Sequence, residues 1–218
     1  MMAKTNFQIG LLVCSIIIVL SCTRENRVSL FNGEDLSGWI GIVFDSVSIS
    51  DDVFQVKNGN ILVTGEPHGY LITRESYSNY KLHLEWRWTE EPGNSGVFIH
   101  CQEINDSAWP ICIESQLKHE NAGLIIIKGN GTSLTIGDST YRVPQSKKIQ
   151  MFEESSENAP GEWNVCDITC DKDNIELVVN GVVQNSASKS TLNSGKIALQ
   201  SEGGQLEFRN LYIVQLNK

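Results

Sequence analysis

The stretch KLHLEWRW, Lys81 to Trp88, alternates without a fault. Leu82, Leu84, Trp86 and Trp88 fall on one side, and Lys81, His83, Glu85 and Arg87 on the other. A period of two is that of a strand with one buried and one wet face, not of a helix. Working outward, the same alternation runs through GVFIHC (96–101), ICIESQL (111–117), WNVCDITCD (163–171), GKIALQS (195–201) and LEFRNLYIVQL (206–216). IELVVNGVVQN (175–185) is the clearest hairpin, because Asn180-Gly181 suits a type I′ turn in which both central residues take positive φ. No amphipathic helical period is found. Short strands, 18 glycines and turn residues about every ten positions define an all-β sandwich of the jelly-roll kind. EESSENAPGE (153–162) reads as a loop, and a mobile one.

The start of the chain has a different logic. Lys4 precedes the apolar run IGLLVCSIIIVL (9–20), shorter than the roughly 20 residues a spanning helix needs, and Ser21, Cys22 and Thr23 end it. VLSC resembles a bacterial lipobox, which implies removal of residues 1–21, a lipid on Cys22, a short tether over 22–28, and one domain over 29–218. An ordinary signal peptide or short anchor helix is the alternative, and either way the chain is exported to the bacterial envelope, facing the periplasm or the cell surface. The net charge of −9 excludes a nucleic-acid partner and electrostatic adhesion to anionic lipid, so any bilayer contact falls to the acyl chains on Cys22. Beyond Cys14 and Cys22 four cysteines remain. Cys166 and Cys170 on one strand lie about 13 Å apart, beyond bridging distance, and read as small buried hydrophobes. Cys101 and Cys112 flank a ten-residue excursion where a disulfide is open either way. No calcium loop, zinc spacing, serine-nucleophile motif or P-loop is written, so neither a metal nor a cofactor is implied.

An ordered set of short motifs carries a resemblance: LFNGEDLSGW (30–39), VKNGNILV (56–63), GYLITRESYSNYKLHLEWRW (69–88), GNSGVFIH (93–100), IESQL (113–117), GEWNVCDITC (161–170), LVVNGVV (177–183) and GKIALQSEGGQLEFRNLYI (195–213). Together they resemble the 3-keto-disaccharide hydrolase domain family. The resemblance implies a concanavalin A-like jelly roll, two antiparallel sheets with a carbohydrate groove on the concave one, and a substrate oxidised to a ketone at sugar C3. A C3 ketone acidifies the C2 hydrogen, so a base removes it, the glycosidic bond at C1 breaks by elimination, and water adds to the enone. Direct hydrolysis is the other route, and both call for carboxylates in one groove.

Glu114 and Gln116 share one face of ICIESQL, and Glu85 and Arg87 one face of KLHLEWRW. If both strands border the groove, all four point into it. Glu114 is then the first candidate for base or acid, set against a solvated carboxylate. Glu85 and Arg87, adjacent on one face, form an ion pair that aims the guanidinium at an enolate oxygen, or else a structural pair. His100 ends GNSGVFIH with a pKa suited to proton transfer. Candidate sugar contacts are Gln116, His83, Gln200 and Glu202 (the last two on one face of IALQSEGG), and Trp109 as an exposed stacking platform in DSAWPI. His68 and His119 sit in loops, and Arg209 braces the last strand, with Glu207 as its partner. Three functions compete: a 3-keto-glycoside-cleaving enzyme, a non-catalytic carbohydrate-binding module, and a conventional glycoside hydrolase.

Overall fold

The computed structural model describes residues 26–45, 47–102, 108–145 and 147–216. Residues 1–25, on which the expected signal segment, the lipid site Cys22 and most of the expected tether fall, lie outside the described residues. In chain order the strands are β1 (Arg27–Ser29), β2 (Trp39–Val43), β3 (Phe54–Lys57), β4 (Asn60–Val63), β5 (Gly69–Thr73), β6 (Tyr80–Trp88), β7 (Gly96–Cys101), β8 (Cys112–Gln116), β9 (Ile125–Lys128), β10 (Ser133–Ile136), β11 (Ser139–Arg142), β12 (Lys148–Ile149), β13 (Asn164–Asp171), β14 (Asn174–Val179), β15 (Val182–Ala187), β16 (Lys196–Ser201) and β17 (Leu206–Gln215). A single helical turn, α1 (Ser50–Val53), precedes β3.

Two antiparallel sheets pack face to face. The first runs β15-β14-β13-β6-β17-β4-β3, with β1 on β17. The second runs β12-β9-β8-β7-β16-β5-β2. Strand β6 sits at the centre of the first sheet and behaves as its alternation requires: Leu82, Leu84, Trp86 and Trp88 are buried, while the residues between them are not. Facing them from the second sheet are Ile99, Ile113, Ile197 and Leu199, all in one continuous core. Burying each such side chain is worth roughly 1.5–3 kcal/mol, so the inward halves of the two sheets hold the sandwich together. Ser115 Oγ lies 4.0 Å from Cys166 Sγ, which fixes the direction of β8: Ile113 and Ser115 face the first sheet, and Cys112, Glu114 and Gln116 face away from it.

The turn chemistry is as read. Asn180 and Gly181 have φ of 47° and 82°, and Asn58-Gly59 repeats the device between β3 and β4 with 53° and 77°. The segment 153–162 forms no strand, but it is anchored: Ser156 Oγ donates to the Val179 carbonyl, the Asn158 amide to Asn164 Oδ1, and Glu157 accepts from the Ala122 amide.

Cys101, Cys112, Cys166 and Cys170 are all buried free thiols. Burial pushes Cys166 and Cys170 up to about 12 and Cys112 well above an ordinary thiol, with Cys101 beside it. A thiol without thiolate character is a poor nucleophile. The folded protein is therefore expected to show no fast-reacting thiol among these four toward an aromatic disulfide reagent, and all four in denaturant. Two in denaturant would reveal a Cys101–Cys112 bond.

Candidate active site

The outward face of the second sheet does not behave as a solvated surface. Every residue of β8 is buried, Glu114 completely. A second apolar cluster, Tyr70, Ile72, Phe98, Cys101, Cys112 and Ala198, lies on this outer side with Phe44 and Trp109 packed over it. Cross-strand register sets the neighbours: Glu114 stands opposite Phe98, and Gln116 opposite Gly96. The turn Gly93–Ser95 ties the strand ends together. Ser95 Oγ donates to the Gln200 carbonyl at 2.8 Å, the Leu117 amide to the Ser95 carbonyl at 2.9 Å, and the Asn94 amide to the Gly203 carbonyl. Glycine at position 96 leaves room for two side chains of this face. A Cβ there would stand 2.6 Å from Glu114 Oε1 and 3.0 Å from Gln200 Oε1, so its bare Cα makes the space into which both side chains fold.

Two carboxylates belong to this cluster. Lys128 Nζ is 2.9 Å from Glu114 Oε2. Burial nevertheless raises the Glu114 carboxyl above its ordinary range: desolvation outweighs the Lys128 cation, and the nearby Glu202 charge acts in the same direction as burial. Glu202 Oε2 accepts from Asn94 Nδ2 and from Gln200 Nε2, each at 2.7 Å. One carboxyl group thus favours its proton while a second is fixed by two amide donors.

Several buried polar atoms of this face have no hydrogen-bond partner among the described residues: Glu114 Oε1, Gln200 Oε1, Asn94 Oδ1 and the Tyr70 hydroxyl. A buried acceptor left unpaired costs about 1–3 kcal/mol, so such atoms need an explanation. Some orphans elsewhere, such as the Trp86 and Trp88 indoles, are scattered through the hydrophobic core. Here they converge on one place, and a ligand rich in hydroxyl groups supplies the donors that three of these four lack.

The first sheet's outer face is the opposite case. Glu85 pairs with Arg209 at 2.7 Å and accepts from Asn210 Nδ2 at 2.6 Å, Arg87 pairs with Glu207 at 2.8 Å, and His83 Nδ1 lies 2.9 Å from Asp167 while its ring stacks on Tyr212. The expected Glu85–Arg87 pair is absent because their directly opposed cross-strand partners, Arg209 and Glu207, are nearer than an i, i+2 neighbour. For the same reason Arg209 braces its strand through Glu85 and not through Glu207. Glu85, Arg87 and His83 therefore stand on the far side of the sandwich from Glu114. The groove shared by both strands does not exist, and a site at Glu114 excludes those three residues.

Other candidates are redistributed too. His100 is buried between the sheets, its ring 5.8 Å from Tyr80 and its Nδ1 3.0 Å from the Leu192 carbonyl. It is the extra residue of a β-bulge, where pairing with β16 shifts and φ is 54°. Burial lowers its pKa to about 4, so the ring is neutral at ordinary pH, and it sits inside the sandwich and not on the outer face with Glu114. Trp109 is no free platform: it packs edge-on against Phe44 at 4.6 Å and Phe98 at 5.7 Å, with Lys128 Nζ 5.1 Å from its ring. Gln116 Oε1 caps its own chain, accepting from the Leu117 and Lys118 amides. His68 pairs with Glu66 in an exposed loop and His119 with Glu157. Gln200 and Glu202 do stand together beside Glu114. Lys128, Asn94, Gly96 and Tyr70 complete the cluster, and the β8–β9 register, which places Lys128 opposite Cys112, is what brings Lys128 to the face of Glu114.

A two-sheet sandwich carrying buried carboxyl and carboxamide groups on one outer face is a jelly-roll domain of the carbohydrate-acting class. The chain belongs to the family described as the 3-keto-alpha-glucoside-1,2-lyase-like domain, whose sequence model matches residues 26–214. Among solved structures it is similar to a Parabacteroides distasonis protein named as a candidate glycosyl hydrolase, at 22% identity over 88% of this chain and 94% of that one, with a TM-score of 0.63. It is also similar to the Bacillus licheniformis beta-glucanase (12%, 87% and 97%, 0.58) and to the carbohydrate binding module CBM66 from Bacillus subtilis (11%, 80% and 93%, 0.50). At such identities the likeness is one of fold, and it joins enzymes and a binding module alike. No curated protein matches the sequence.

Proposed function

We propose that this protein is an exported, lipid-anchored enzyme that cleaves 3-keto-glycosides, with its centre at Glu114, Glu202, Lys128 and Gln200. The observation that carries the reading is the convergence of unpartnered buried acceptors around a proton-favouring carboxyl group, on one face of a domain whose family is described by 3-keto-glucoside cleavage. Glu202 takes the acidified C2 proton as the C1–O bond breaks, and Glu114 gives its proton to the departing oxygen. Lys128 is the cation at hand for the negative charge that grows on the C3 oxygen. Water then adds across the C1–C2 double bond. The lipobox-like VLSC supports attachment through Cys22 at the bacterial envelope.

The test is to give the protein a 3-keto-disaccharide and its unoxidised parent and follow release of the second sugar. Cleavage of the ketone alone is expected. Cleavage of both identifies a conventional glycoside hydrolase, and binding without turnover a carbohydrate-binding module.

A further inference from the structure

The Gln200 side chain stands between the two carboxyl groups of the centre. At one end its Nε2 donates to Glu202 Oε2 at 2.7 Å. At the other its Oε1 shares with Glu114 Oε1 the space over Gly96: the point where a Cβ on that glycine would stand is 3.0 Å from the first oxygen and 2.6 Å from the second. The amide cannot be turned round beside an ionised Glu202, because two acceptors would then face each other with no proton between them. Its backbone is held as well, on a strand flanked by β7 and β5, with the Gln200 carbonyl accepting from Ser95 Oγ at 2.8 Å. Gln200 Oε1 is therefore a fixed acceptor, buried and without a partner among the described residues. Lys128 takes Glu114 Oε2, so the oxygen of Glu114 left for a ligand is the one on the Gln200 side.

A sugar of the proposed class has one group at the matching place. In an α-linked 3-keto-glucoside, the class in the family's description, the C1–O and C2–H bonds both stand axial, on opposite faces of the ring. The acid and the base that act on them come from those opposite faces, and the C2 hydroxyl points outward, equatorial, between the two. The order acid, amide, base on the protein thus meets the order O1, O2, H2 on the sugar. A hydroxyl is a donor, and the amide oxygen facing it is an acceptor that lacks one.

We infer that Gln200 sets the specificity of the site by accepting from the C2 hydroxyl, and that its substrates are 3-keto-glycosides in which that hydroxyl is free and equatorial, 2-deoxy sugars being rejected. The inference rests on the cleavage reading above. Hydrogen in place of the hydroxyl leaves a buried acceptor unpaired, and a site built around such a bond discriminates strongly against the analogue. The test crosses substrate with residue. The parent protein and Gln200→Met are each given an α-linked 3-keto-glucoside and its 2-deoxy counterpart, and release of the same alcohol is followed. Methionine keeps length and burial and removes the acceptor, while Asn94 Nδ2, also 2.7 Å from Glu202 Oε2, still holds the base. The two sugars differ in C2–H acidity, but that difference is common to both proteins and cancels. The ratio of their kcat/KM values should shrink at least about tenfold on going from the parent to Gln200→Met. A second measurement does not need that variant to fold: in calorimetry with the slow Glu114→Gln protein, the 2-deoxy sugar should bind at least about fivefold more weakly. A ratio that Gln200→Met leaves unchanged, or equal binding where that variant does not fold, overturns the role of Gln200 and leaves cleavage standing. Neither sugar cleaved by the parent overturns the cleavage reading, and this inference with it.

Discussion

Glu114→Gln is expected to lower the rate of 3-keto-glycoside cleavage at least about a hundredfold, the usual worth of a general acid or base. The substitution keeps shape and burial and removes only the ionisable group, and a carboxamide oxygen in the place of Glu114 Oε2, 2.9 Å from Lys128 Nζ, still accepts from that cation. The physical basis is the raised Glu114 pKa, caused first by desolvation. Its acid form survives to higher pH than that of an exposed glutamate, and donation to the leaving oxygen fades as pH rises through that value. The loss should be smaller for a phenolic leaving group, which departs without much help from an acid, than for a sugar alkoxide. Equal losses for both would move Glu114 from acid to base. Glu85→Gln, on the opposite face, should change the rate less than about threefold, because the partners of Glu85, namely Arg209, Asn210 and His83, all belong to its own sheet. A deep loss at Glu85 with none at Glu114 would put the centre on the wrong sheet.

What the sequence disclosed and what it withheld follow from the range of the interactions involved. Period-two patterning is local, so β6 and the Asn180-Gly181 hairpin were legible to within a residue or two. Which outer face is which is not local. Glu85 and Glu114 present the same signature, a carboxylate between buried residues. Only pairing across the chain separates them: β6 lies between β13 and β17, and β8 between β7 and β9. The same partners decide the charge chemistry, since Arg209 and Glu207 reach β6 from more than a hundred residues away. His100 failed for a subtler reason. Alternation carried on from Gly96 and Phe98 puts it on the outer face with Glu114, but one bulged residue turns it inward and gives the outer position to Cys101. Trp109 was read as exposed because loops usually are, yet a second apolar cluster on the outside of the sheet claims it. Gln200 and Glu202 meet each other as the alternation has them, because their relation is again local, two positions apart in the chain.

The buried imidazole makes the protein's stability acid-sensitive, and the direction follows from where protons bind. Unfolded, His100 takes a proton as pH falls through about 6.5. Folded, it stays neutral until about 4, because desolvation outweighs the hydrogen bond that its Nδ1–H donates to the Leu192 carbonyl. Between those values the unfolded chain binds more protons, so the stabilisation is complete above pH 6.5 and is lost progressively toward pH 4. At about 1.36 kcal/mol per pH unit the expected loss is about 3 kcal/mol. Its ring neighbour Tyr80 is pushed well above its ordinary value and stays neutral throughout, so it adds nothing in this window. Glu114 works the other way, its raised pKa favouring the folded state as pH falls. The clean measurement is therefore a difference: urea unfolding of the parent and of His100→Gln at pH 7, 5.5 and 4.5. Glutamine keeps a donor for the Leu192 carbonyl and does not titrate, so the variant's stability should fall less steeply. The two lines should draw together by about 2 kcal/mol or more by pH 4.5. Parallel lines would mean that the imidazole is charged, or reaches water, in the folded protein, and the bulge that turns it inward would have to be redrawn.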